Sequence, residues 1–80
     1  MQMAMDVHKI SDLEEQPAPN GCSWWCVDGI WYEWRKGSPT LRITTRSPGP
    51  GGVPDEIVSL DSPTKAAAKR AVFRDVWPDR

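Results

Sequence analysis

The side chains that most often carry catalysis or hold metal ions are few in this chain and lie far apart. The only histidine is His8, and the only cysteines are Cys22 and Cys26. A nucleophile needs a base held beside it, and a structural zinc site needs four ligands. This spacing offers neither, and the loop Gly49–Gly52 is not followed by the Gly-Lys-Ser/Thr of a phosphate-binding loop. We therefore expect no enzyme activity, no metal site and no cofactor.

Tryptophan and arginine offer a different chemistry, the recognition of another molecule. The chain has five tryptophans, and four of them lie within residues 24–34. They flank the dipeptide Asp28-Gly29, which predicts a two-residue type I′ hairpin turn, because that turn needs positive φ at both central residues. The turn pairs Val27 with Ile30 and fixes the register of the two strands around it.

Because side chains alternate across a strand, this register separates two faces of the hairpin. One face is almost wholly apolar and is predicted to be the core face: Trp25, Val27, Ile30, Tyr32 and Trp34. The segment Thr40–Arg46 alternates in the same way, which predicts a third strand that adds Leu41 and Ile43 to that face. The opposite face is mixed, and its candidate partner-binding residues are Trp24, Trp31, Arg35, Arg42 and Thr44.

The first part of the chain differs in composition from the rest. Residues 1–20 are acidic and end in a proline-containing linker, so we expect a flexible arm. Within it, Val7, Ile10 and Leu13 recur at helical spacing, which allows a short helix. Residues 21–80 are predicted to form a single domain of β-β-β-(β)-α order.

The remaining segments predict one helix and at most one further strand. A Pro- and Gly-rich loop over 47–54 leads to a short fourth strand over 56–60. A helix over 64–75 follows, with Asp61 or Ser62 as its cap. The predicted fold class is α+β, a small antiparallel sheet of three to four strands with one C-terminal helix packed on one face.

The charges are unevenly distributed, although the formal net charge is only −1. Residues 1–34 carry one lysine against six acids, and residues 35–80 carry nine lysines and arginines against five acids. Such a basic half favours an anionic partner or, equally, contacts with the acidic half of the same molecule. The basic residues that could contact nucleic acid are Arg35, Arg42, Arg46, Lys65, Lys69, Arg70 and Arg74.

Neither a membrane span nor a signal peptide is predicted, because no apolar run has the required length. In an extended strand, Cys22 and Cys26 would lie about 13 Å apart, whereas a disulfide needs Cα atoms within about 7 Å. We therefore expect free thiols, a cytoplasmic location and no membrane partner.

The mixed face favours a non-enzymatic protein-binding module, because tryptophan and arginine are enriched at binding hot spots. Short tryptophan-rich chains without catalytic residues look similar to small accessory proteins and inhibitors of phages and other mobile elements. DNA binding by the sheet face and basic helix is the alternative function, and exposed indoles also allow a homodimer. A competing interpretation is that the arm folds over this face through Val7, Ile10 and Leu13 and covers Trp24 and Trp31.

The order of elements over residues 22–76 resembles the DNA-binding modules at the N-terminus of some phage integrases, which pair a three-stranded sheet with one helix. The helix entry Ser62-Pro-Thr-Lys-Ala-Ala-Ala is part of this resemblance. It implies that the exposed sheet face reads the major groove. The acidic N-terminal third departs from what DNA binding favours, because phosphate contacts need cationic side chains.

Overall fold

A computed structural model describes residues 9–48 and 53–77 as an antiparallel sheet with a C-terminal helix. The predicted α+β class is confirmed. The predicted number of strands is wrong, because the described part of the chain forms five strands rather than three or four. The strands lie side by side in chain order, and the elements are β1 (Glu15–Gln16), β2 (Cys22–Val27), β3 (Ile30–Arg35), β4 (Thr40–Thr44), β5 (Glu56–Ser59) and α1 (Lys65–Val76).

The hairpin between β2 and β3 forms as the dipeptide Asp28-Gly29 predicts. The φ angles of these two residues are 52° and 81°, both positive as a type I′ turn requires. The turn pairs Val27 with Ile30, so the predicted register is confirmed. β4 pairs with β3 in the expected register too, and Ile43 therefore lies on the core face.

α1 covers the face that was predicted to be the core. It packs on β2, β3 and β4, and its small alanines allow close approach to the sheet. The buried hydrophobic cluster consists of Leu13, Trp25, Tyr32, Trp34, Leu41, Ile43, Ala68 and Val72. Val27 and Ile30 flank the hairpin turn and are only partly buried, because they lie at the end of the sheet.

The N-terminus of α1 is capped by a residue other than those predicted. The Thr64 hydroxyl accepts a hydrogen bond from the Ala67 backbone N–H at 3.2 Å. Ser62 supports this cap indirectly, because its hydroxyl lies 3.0 Å from that of Thr64. Asp61 lies one turn too early to act as the cap.

The segment predicted to be an arm supplies the fifth strand. The two residues of β1 pair with Trp25 and Trp24 of β2. A 3-10 turn over Ile10–Asp12 precedes β1 and contacts α1, and Leu13 is buried in the core. A pair of strand residues is too short to show an alternating pattern, so nothing in the sequence predicts this strand.

Several sequence expectations concern residues outside the described ranges. They are the positions Val7 and His8 and the loop Gly49–Gly52. Within the described ranges, Cys22 and Cys26 are free thiols, as predicted. No helix in these ranges is long and apolar enough to cross a membrane.

Candidate functional site

The sheet face turned away from α1 carries the predicted partner-binding residues, and we call it the outer face. Strand pairing places one residue from each strand in a row that crosses the sheet: Gln16, Trp24, Glu33, Arg42 and Ile57. The neighbouring rows add Cys26, Trp31 and Thr44 on one side and Cys22 and Arg35 on the other. The register therefore brings all five predicted partner-binding residues onto one surface.

Glu33 lies at the centre of the outer face, and its side chain is only 12% exposed. Its Oε2 accepts a hydrogen bond from Trp24 Nε1 at 3.0 Å. Its Oε1 lies 3.5 Å from Arg42 Nε and 3.9 Å from Arg35 Nε. A carboxylate buried to this degree needs such donors, because burying an unpaired charge is costly. Glu33 therefore holds one indole and two guanidinium groups in a single arrangement.

Trp24 and Trp31 form an edge-to-face pair on the same surface. Their ring centroids are 6.1 Å apart and their planes meet at 87°. This geometry is favoured because the positive edge of one ring meets the negative face of the other. Both rings are half-buried, so each keeps part of its surface open to solvent. The pair is an apolar patch on a face that also carries Arg35 and Arg42.

Cys22 shows how the carboxylate of Glu33 shapes the outer face. Burial raises the pKa of the Cys22 thiol, and the negative charge and hydrogen bond of Glu33 raise this pKa further. Arg35 acts in the opposite direction, with a smaller effect than burial. Because the thiolate is the reactive form, Cys22 is a poor nucleophile at neutral pH.

A shallow groove of about 100 Å³ continues the outer face beyond Arg42. Thr44 and Arg46 line it from the end of β4, and the backbone N–H of Arg46 donates to the Thr44 hydroxyl at 3.2 Å. Two large apolar side chains are exposed in the described part of the chain, Val53 at 84% and Ile57 at 57%. Val53 lines this groove, and Ile57 belongs to the outer face. Glu33 and Arg42 lie between Ile57 and Trp24 in the row across the sheet, so these exposed side chains are separate from the indole pair.

The basic residues of α1 do not share this surface. Lys65, Lys69, Arg70 and Arg74 belong to the helix, which packs on the other side of the sheet. Lys65 Nζ also forms an ion pair with Glu15 Oε1 at 2.7 Å. The structure thus separates the predicted nucleic-acid-binding residues into two groups on opposite sides of the sheet, with Arg35, Arg42 and Arg46 on the outer side.

Most of the described part of the acidic arm joins the α1 side of the molecule, and Gln16 reaches the outer face beside Trp24. Leu13 enters the core, and Glu15 reaches Lys65 at the start of the helix. Leu13 therefore does not cover Trp24 and Trp31 in the way that the competing interpretation requires. That interpretation also involves Val7, which lies outside the described residues.

Glu33 contacts Trp24, Arg35 and Arg42, but it was not among the residues predicted to bind a partner. Its position in the predicted register, between Trp24 and Arg42, was the available signal. An acid paired with tryptophan on one side and arginine on the other can satisfy both donors at once. A carboxylate with that pair of neighbours is expected to hold both of their side chains in place.

In the ranges 9–48 and 53–77, no group of three or more His, Cys, Asp or Glu side chains could hold a metal ion. No protein-family model matches the chain, and neither the curated proteins nor the solved structures contain a match. The resemblance to phage integrase modules therefore stays an expectation from the order of elements.

Proposed function

We propose that this chain is a small non-enzymatic protein-binding module that contacts its partner with the outer face. The observation that carries the proposal is the edge-to-face pair of Trp24 and Trp31, in which Glu33 holds the Trp24 ring by a hydrogen bond. A half-buried indole pair offers a large contact area, and arginines at its border suit the polar rim of an interface. A role as an accessory protein or inhibitor is one form that such binding could take.

The fixed arrangement also reduces the entropic cost of binding. Immobilising a flexible side chain at an interface costs about 0.5–1.5 kcal/mol. The contact of Trp24 with Glu33 and the bridge from Arg42 to Glu33 already restrict these side chains. More of the contact energy is then available as affinity.

DNA binding is the second candidate, and the observation that favours it is the presence of Arg35, Arg42 and Arg46 on one side of the sheet. Two features weigh against it. Glu33 offsets part of the charge of two of these arginines, and the basic residues of α1 face away. Duplex DNA rewards a contiguous cationic surface, because each phosphate contact releases counterions.

The test compares an outer-face variant with a matched variant on α1. The immobilised protein is used to retain partners from a lysate of the source organism, with Trp31→Ala and Lys69→Ala tested beside the wild type. We expect Trp31→Ala to weaken retention of a specific protein at least tenfold, about 1.4 kcal/mol, and Lys69→Ala to leave it unchanged. Circular dichroism confirms that both variants are folded.

A second measurement separates the two candidate functions. Tryptophan fluorescence is followed while duplex and single-stranded DNA are added at about 50 and 200 mM salt. Protein binding by the outer face predicts no salt-sensitive change. Quenching that weakens steeply with salt and is lost in Arg35→Gln would favour DNA binding. Retention that is equal in Trp31→Ala and wild type would remove the outer face as the binding surface.

A further inference from the structure

A second concave surface lies on the other side of the sheet, where α1 leaves β5 uncovered. α1 packs on β2, β3 and β4 but not on β5, and a groove of about 260 Å³ lies between the helix and β5. Leu41, Val58 and Leu60 contribute apolar side chains to its floor, and Ala67 and Ala71 form its wall. The groove is remote from the outer face because it lies on the opposite side of the sheet.

In the described part of the chain, β5 is the last strand of the sheet, so the groove runs along an open edge there. The backbone N–H of Leu60 donates to the Pro39 carbonyl at 2.8 Å, on the side of β4. Hydrogen bonding alternates along an antiparallel strand, so the N–H and C=O groups of Ile57 and Ser59 point away from β4. An open edge of this kind pairs readily with another extended chain.

We propose that β5 and this groove bind an extended peptide segment of a partner protein, which adds to the sheet as a sixth strand. Its backbone pairs with Ile57 and Ser59, and one apolar side chain enters the groove beside Val58. An edge strand next to an apolar groove suits this mode of recognition, because backbone pairing gives affinity and the groove selects side chains. This site is independent of the proposed function of the outer face.

The charges around the groove favour a peptide with basic residues on both sides of the apolar one. Asp61 and Asp75 both line the groove, and Glu56 is exposed at the start of β5. Arg74 is the only cation among the described groove-lining residues. In the extended peptide, the side chains two positions before and two positions after the central apolar residue lie on the same face as that residue. Lysines there reach Glu56 and Asp61.

A second copy of this chain fits the same edge less well. In the antiparallel pairing of two β5 strands that centres on Val58, Glu56 of each copy faces Leu60 of the other. Glu56 of one copy then lies beside Asp61 of the other copy. The two acids approach each other at both ends of the pairing, and like charges across a pair of strands are destabilising. A basic peptide replaces this repulsion by attraction.

The probe is the peptide Lys-Thr-Val-Thr-Lys with blocked termini, added to the full chain labelled with nitrogen-15. We expect backbone amide shifts at Ile57, Ser59 and Ala71, saturating with a Kd below about 1 mM, and no shift at Trp31. Replacing both lysines by glutamate, or the valine by serine, should weaken binding at least tenfold.

Two protein variants test the edge and the groove separately. Ser59→Pro removes an N–H that points away from β4, so it should preserve the sheet and weaken binding at least tenfold. Ser59→Ala is its matched control and should bind as the wild type does. Ala71→Leu fills the groove while keeping a good helix former, and it should also weaken binding.

Four results would overturn the proposal. They are the absence of saturable shifts, shifts at Trp24 and Trp31 without shifts at Ser59 and Ala71, unchanged binding in both Ser59→Pro and Ala71→Leu, and shifts at Ile57 and Ser59 that depend on protein concentration without peptide. The last result would assign this edge to a second copy of the chain. Trp31→Ala should leave peptide binding intact, so failure here is distinguishable from failure of the outer face.

Discussion

On the side of the sheet that meets α1, Trp25 and Trp34 are buried, whereas Trp24 and Trp31 on the outer face keep part of their rings exposed. The same residue type therefore occurs on both faces of one hairpin, at adjacent positions in β2 and three positions apart in β3. On the inner side the indole is used for its volume. On the outer side its orientation matters, and Glu33 fixes it.

The polar atoms of the two buried indoles differ from each other. Trp34 Nε1 donates to the Ser38 carbonyl at 2.8 Å, but the buried Trp25 Nε1 has no hydrogen-bond partner among the described residues. An unmade buried hydrogen bond costs about 1–3 kcal/mol, whereas burying about 150–250 Å² of aromatic surface contributes about 4–6 kcal/mol. Burial outweighs the missing hydrogen bond at Trp25. The core thus tolerates an imperfection that the outer face does not show at Trp24.

The largest expected effect comes from truncating one tryptophan on each face. Trp25→Ala should destabilise the protein by about 3–5 kcal/mol, because it leaves a cavity in the core. A domain of this size has a similar total stability, so we expect this variant to be unfolded at 25 °C. Trp31→Ala removes a half-exposed ring and should cost about 1–2 kcal/mol. Urea unfolding followed by far-ultraviolet circular dichroism measures both, and equal losses would contradict the contrast between the faces.

The next effect compares two acids. Glu33→Ala removes the acceptor of the Trp24 Nε1–H group in a mostly buried setting and one ion-pair partner of Arg42, so it should cost about 1–3 kcal/mol. Glu15→Ala breaks an ion pair with Lys65 whose side chains are 40% and 46% exposed, and it should cost at most about 1 kcal/mol. Urea unfolding of both variants gives the difference. A larger loss in Glu15→Ala would show that Glu33 does not organise the outer face.

The contrast between the faces could be predicted from the sequence because a single turn sets it. Asp28-Gly29 fixes the pairing of β2 with β3, and the alternation of Leu41 and Ile43 extends the same two faces to β4. Periodicity and turn chemistry are local properties, so they can be recognised in the sequence without any knowledge of the tertiary structure. The sequence thus predicts which tryptophans lie on which side.

The features that escaped prediction depend on contacts between distant segments. β1 pairs through its backbone alone, and Leu13 is buried only because the chain returns to α1. The bonds of Glu33 depend on side-chain rotamers, which a register does not specify. The groove beside β5 exists because α1 stops short of that strand, and the angle of the helix could not be assigned from its mixed faces.

Tyr32 and Glu33 are neighbours in β3 and face opposite sides of the sheet. The pH dependence of stability in variants of these two residues therefore tests the contrast between the faces. The Tyr32 hydroxyl donates to Asp75 Oδ2 at 2.6 Å beneath the helix. Burial, followed by the hydrogen bond and negative charge of Asp75, raises the pKa of Tyr32 well above its usual range. The chain has no other tyrosine, so absorbance at alkaline pH reports this residue alone.

The Tyr32 hydroxyl keeps its proton to higher pH in the native state than in the unfolded chain. Its contribution to stability is therefore fully present below a pH of about 10, the usual tyrosine pKa. Above that pH the tyrosine of the unfolded state ionises while native Tyr32 stays protonated. The unfolding free energy then falls by up to about 1.4 kcal/mol per pH unit until the native pKa is passed. Tyr32→Phe lacks this contribution, so its unfolding free energy should fall less steeply than that of the wild type between pH 9 and 11. Glu33→Ala should keep the wild-type slope, since the outer face does not contact Asp75. Equal slopes for Tyr32→Phe and wild type, or a native tyrosine that titrates near its usual pKa, would show that the core side gives Tyr32 no more protection than solvent does.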